Sequence, residues 1–150
     1  MIDIVRFREV LLEIAQRINA RVDKHPIEGI IMAVREGHMQ KKLRDKEGVW
    51  LCANYPDSEL RGSEDSRLEK NQILLFLIEK VPSGRDNDED ELQNYARMQR
   101  LTKLLKEELL SGESFCGYFQ AEDGMTTEWE FDTFGGWNGL SIGVKVTDYD

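Results

Sequence analysis

Between Gln72 and Glu79 the chain runs Ile73-Leu74-Leu75-Phe76-Leu77-Ile78 without a polar interruption. So short an apolar run, with Pro82-Ser83-Gly84 beyond it, fits a strand better than a helix. Successive side chains of a strand point to opposite faces, so this strand is apolar on both. It belongs at the centre of a sheet, with cover on each side. Leu75 and Leu77 lie on the face opposite Leu74, Phe76 and Ile78. If helices cover one face, the other needs the N-terminal loops or another subunit.

The remaining pattern supplies the helices. Ile4, Phe7, Leu11, Ile14, Ile18 and Val22 recur at three- and four-residue steps, which predicts an amphipathic helix over Asp3–Val22 with Asp3 capping its start. Pro26 stops it, and Gly29–Val34 reads as a first strand ended by Gly37. Residues 38–48 are strongly polar with no strand period. Val49–Tyr55 is a second strand closed by Pro56-Asp57-Ser58, and Glu59–Lys70 reads as a mobile loop holding Gly62. After the apolar strand, the acidic run 86–91 precedes a helical stripe of Leu92, Tyr95, Met98, Leu101, Leu105 and Leu109 that ends at Ser111-Gly112. Carboxylates at a helix start complement its dipole, so the run has a structural explanation.

The last part is β in character. Phe115–Phe119 is a short strand, and Thr127–Asp132 alternates polar with aromatic as a half-buried strand does. Gly135-Gly136-Trp137-Asn138-Gly139 is a turn with positive-φ candidates, and Leu140, Ile142, Val144 and Val146 give the cleanest period-two signal in the chain. The order α-β-β-β-α-β-β predicts an α+β two-layer sandwich: an antiparallel sheet of about four to five strands with two helices on one face. At 150 residues and without a linker or repeat, 1–150 reads as a single domain.

Charge narrows the function. Lys and Arg number 20 against 29 Asp and Glu, a formal charge of −9, which disfavours default binding to nucleic acid or to an anionic membrane. No segment approaches the length of a bilayer span, and no secretory signal is visible, so the expected address is cytoplasmic. Cys52 and Cys116 read as small buried side chains in a reducing compartment. The chain lacks Cys-x-x-Cys, His-Glu-x-x-His, a phosphate-binding Gly-rich loop and Gly-x-Ser-x-Gly. Glu128 and Glu130 share a strand face but read as solvated charges. The expectation is no enzyme, with no catalytic, metal or cofactor residues. The cluster Lys41-Lys42-Leu43-Arg44 is the one local reversal of sign. It suits a solvated loop or a protein contact; Asp45 and Glu47 weaken a phosphate reading.

The layout and the ending resemble a family. An N-terminal helix at Asp3–Val22, strands at Val49–Pro56 and Asn71–Lys80, a helix at Glu91–Leu110 and a closing pair from Trp129 onward follow the order of phage tail-terminator and tail-completion (neck) proteins of the small prophage-encoded type. The closest likeness is Glu128-Trp129-Glu130-Phe131, then Gly135–Gly139, then the alternating strand Leu140–Val146. Stretches 38–48 and 57–70 have no counterpart in that layout. The resemblance implies a structural subunit that assembles into a ring and meets tail-tube or neck proteins, inside a bacterial host and in a phage-like particle. An acidic lumen would let DNA pass without sticking. Candidate contact residues are Lys41, Lys42 and Arg44 of the basic cluster, Leu75 and Leu77 of the apolar strand, and Trp137 in the glycine-rich turn. Two other classes remain open: a small acidic protein-binding module such as a toxin-neutralising immunity protein, and a small-ligand binder or enzyme with a pocket under the Trp137 turn.

Overall fold

The computed structural model describes residues 1–81, 87–111 and 120–149. The expected strand at 115–119, Cys116 and the turn at 82–84 lie outside the described residues. The order is α1 (Ile4–Asn19), β1 (Ile27–Ala33), α2 (Glu36–Leu43), β2 (Val49–Asn54), β3 (Asp57–Ser63), β4 (Ser66–Lys80), α3 (Asp88–Ser111), β5 (Gln120–Thr133) and β6 (Trp137–Tyr149). The class is α+β, as the patterning implies, built on a six-stranded sheet of order β1-β2-β4-β6-β5 with β3 paired to β4.

β4 is the central strand. Its neighbour on one side is β6, antiparallel from Leu68↔Tyr149 to Lys80↔Trp137. On the other side its two halves take different partners, β2 at Leu75–Glu79 and β3 at Ser66–Gln72. β2 and β3 thus share one flank of β4, broken at Tyr55-Pro56, where proline has no N–H for the ladder. The expected loop Glu59–Lys70 is instead a hairpin. All of β3 is exposed, so no apolar alternation marks it. Glu64-Asp65 turn the hairpin; just before them Gly62, in β3, has φ +112, and a Cβ there would stand 2.0 Å from the Ser66 carbonyl oxygen.

The sheet is not wholly antiparallel: β1 pairs parallel to β2, from Ile27↔Val49 to Ala33↔Asn54. Parallel neighbours need a crossover, and the polar stretch expected to be irregular supplies it as α2. Only Met39 and Leu43 of that helix are buried, one turn apart on the same side.

These helices divide the core into two. On one face α1 and α3 bury Phe7, Leu11, Ile14, Met98, Leu101 and Leu105 against Leu51, Ile73, Leu75, Leu77, Ile142 and Val144. On the other, α2 and the β5–β6 turn bury Met39, Leu43, Phe134 and Trp137 against Ile31, Cys52, Phe76 and Ile78. The second face of the apolar strand is therefore covered from within the chain. Asp3 caps α1 as expected, its carboxylate accepting from the Val5 and Arg6 amides at 2.9 and 3.2 Å. Asn87 caps α3, accepting from the Asp90 amide at 2.8 Å. Arg17–Glu108 and Arg21–Glu107 link the two long helices.

Candidate assembly interface

β5 is an outer strand of the sheet, and its middle carries aromatic side chains between carboxylates. Trp129 pairs with Leu140, whose side chain is buried beneath α3, so Trp129 points to the same face. One strand further out, α3 reaches over it only through Tyr95. Trp129 stays 58% exposed and Phe131 71% exposed, contrary to the half-buried strand that the alternation predicts. The stripe of α3 overhangs in the same place: Leu92, expected in the core, is 60% exposed.

Tyr95 joins the two elements. Its ring meets Trp129 edge to face at 5.6 Å, and its hydroxyl donates to the Glu130 carbonyl at 2.8 Å. Burial, reinforced by the nearby Glu91 and Glu130 carboxylates, pushes the Tyr95 phenol above its usual value. Asp90 and Glu91 at the start of α3 line the same depression as Phe131, with Lys80 and Arg97, while exposed Glu128 and Asp132 flank the aromatics along β5, Glu128 on the opposite face with Ser141. Glu130 differs, because it accepts from the Ser141 hydroxyl at 2.8 Å. The arrangement is an apolar centre with charged neighbours on a sheet edge, the anatomy of a protein contact.

The residues singled out from sequence divide into two groups. Lys41, Lys42 and Arg44 are exposed on α2, with the Lys42 ammonium donating to the Met32 carbonyl at 2.6 Å. Leu75, Leu77 and Trp137 are instead buried to 0, 1 and 0% exposure, so they hold the chain's own core and offer nothing to a neighbour. Leu75 and Leu77 lie under α1 and α3, while Trp137 packs below α2. Trp129, Phe131, Leu92 and Glu91 went unmarked as contact residues. The available signal was an aromatic pair flanked by acids, Glu128-Trp129-Glu130-Phe131-Asp132, a costly composition for a buried face.

Two depressions lie near this edge. One, of 650 Å³, is lined by Glu47, Gly48, Lys80, Asp132 and the Gly135-Gly136 turn. The other, of 640 Å³, runs from His25 past Glu79, Asn94 and Arg97 to Phe131. In the second, a single oxygen of Glu79 accepts from Arg97 Nη2 at 2.6 Å and from Asn94 Nδ2 at 3.0 Å, while Asn94 Oδ1 is buried without a hydrogen-bond partner among the described residues. Cys52 is buried under α2, and desolvation pushes its thiol up to about 12, far from nucleophilic. Among the described residues, no helix is long and apolar enough to cross a membrane, and no group of three or more His, Cys, Asp or Glu is placed to hold a metal. No protein-family model and no curated protein matches the chain.

Proposed function

We propose that the chain is a structural subunit of a phage-like tail or neck, terminator-like, which works by assembling with copies of itself into a ring. It meets tail-tube or neck proteins in the host cytoplasm, binds no specific nucleic acid or membrane, and catalyses nothing. One observation carries this reading: Trp129 and Phe131 stand exposed on an edge strand beside carboxylates. Large aromatics in that setting gain free energy chiefly by being covered by another protein. The resemblance of the sequence to the terminator layout, in which α2 and β3 have no counterpart, suggests the particular assembly.

Solution mass measured over a concentration series, with imaging of any large species, tests it. The expected result is a closed particle of several subunits. A single mass at every concentration, alone or with tail-tube protein, would overturn the ring. The carboxylates also favour a second reading, a module that binds a basic protein partner. That reading requires a monomer which forms a tight one-to-one complex weakened by salt.

A further inference from the structure

The sheet carries two chemically opposite surfaces. At its β5 edge stands the aromatic patch with its acidic neighbours. On the opposite face of the sheet lies α2, packed over Cys52 and Phe76 and reaching the β5–β6 turn, where Gln40 stands beside Gly135. Residues 35–47 hold five cationic side chains against three carboxylates, in a chain of net charge −9. Among the described residues Arg35, Lys41 and Arg44 enter no ion pair, nor do Asp88, Glu91 and Glu128. Apolar surface accompanies both, with Val34 56% exposed just before α2.

Resting on the ring reading above, we infer that the acidic aromatic edge of one copy docks on the basic face of α2 in the next. Opposite signs attract, and an Arg44 guanidinium with the Lys41 stem suits the faces of Trp129 and Phe131. The occupant is a second copy because the chain itself carries the complement of its own patch. The contact is head to tail. Pairing like with like, as a two-fold dimer through the β5 edge does, would set carboxylate against carboxylate. A head-to-tail contact leaves one free end on each copy and closes when the rotation between copies allows.

Charge exchange tests the pairing. One variant carries Lys41→Glu with Arg44→Glu, the other Glu91→Lys with Glu128→Lys; all four side chains are exposed, and thermal melting checks that each variant folds. Sedimentation velocity over a concentration series reads association. Each variant alone should associate with a midpoint raised about tenfold or more, and the equimolar mixture should recover wild-type behaviour, because reversed ends attract each other. If the wild type assembles and the variants assemble equally well, the ring stands and this contact falls. If both variants weaken but their mixture does not recover, the two surfaces do not face each other. A wild type that keeps a single mass throughout overturns both this contact and the ring.

Discussion

Leu43→Ala puts the second layer of the fold to the test. Leu43 is fully buried and, with Met39, is what α2 contributes to the core on the second face of the sheet. Removing a buried leucine side chain costs about 2–5 kcal/mol, from lost transfer free energy and the cavity left behind. At about 2–4 °C per kcal/mol for a chain this size, a loss of about 3 kcal/mol lowers the melting temperature by about 6–12 °C. A solvated loop at 38–48, as polarity alone suggests, would lose less than about 0.5 kcal/mol. Lys41→Ala, exposed on the same helix, serves as the control. Cys52 offers a second readout, because it packs in the same cluster with its thiol pushed up to about 12. In a Cys116→Ser background, wild-type Cys52 should resist a thiol reagent at pH 8. Leu43→Ala should label up to roughly 100-fold faster, if lifting α2 is the opening event. A variant that melts within about 1 °C of wild type and labels no faster would refute the assignment of α2 as the cover of this face.

Gly139→Ala should lower the melting temperature sharply and leave little folded protein at 37 °C, since a Cβ there would stand 2.0 Å from the Leu77 carbonyl oxygen in the central ladder; an unchanged melt would contradict that approach. A double-mutant cycle of Glu79→Gln and Arg97→Gln should give a coupling of about 1–3 kcal/mol in urea unfolding, above that of exposed pairs, because both side chains are mostly buried. Tyr95→Phe should cost about 0.5–1.5 kcal/mol for the bond to Glu130. It should also remove one late-titrating phenol from an absorbance titration. Because the folded phenol lies above the ordinary tyrosine value of 10.0, its stabilising effect is complete below pH 10 and is lost as pH rises through the folded value. Self-association should be weakest at 10 mM salt, strongest near 0.15 M and weaker again at 1 M by light scattering; a steady rise to 1 M would remove charge pairing from the contact.

Legibility in the sequence followed the strength of the burial that each element achieves. α1 and β6 were plain, since every third or fourth residue of one and every second of the other must leave water. The apolar half of β4, Ile73–Ile78, was plain for the opposite reason, having no polar face at all, whereas its polar first half, Ser66–Lys70, reads from sequence as loop. α2 was hidden because two buried residues, Met39 and Leu43, suffice to hold it while charges fill the rest. β3 was hidden because it buries nothing; its ladder with β4 satisfies the backbone, which leaves no side-chain period. The parallel β1–β2 pairing followed from α2 and was lost with it. Among site residues, exposure of Lys41, Lys42 and Arg44 followed from charge. Leu75, Leu77 and Trp137 were misplaced because an apolar side chain does not reveal which layer will cover it. Trp129 and Phe131 show the converse. Alternation tells which side of a strand they occupy, and only the position of that strand at the sheet edge decides that α3 covers it no further than the Tyr95 ring against Trp129.

Acidity does not forbid this chain from meeting itself. Two compact bodies of 150 residues touch at a centre separation of about 38 Å, and charges of −9 each then repel by about 9 kcal/mol in unscreened water. Screening cuts that to about 2–3 kcal/mol at 0.01 M salt and to about 0.1 kcal/mol at 0.15 M, where the Debye length is about 8 Å. Under cellular conditions the net charge is therefore nearly silent, and only groups within a few ångströms of the contact are felt. There the terms separate. Exposed ion pairs are worth about 0–1 kcal/mol each, whereas covering an aromatic side chain such as Trp129 or Phe131 gains about 1.5–3 kcal/mol. In the proposed contact the aromatics supply the affinity of the β5 edge and the nearby carboxylates select its partner: a like-signed neighbour is repelled at short range, and a cationic helix is attracted.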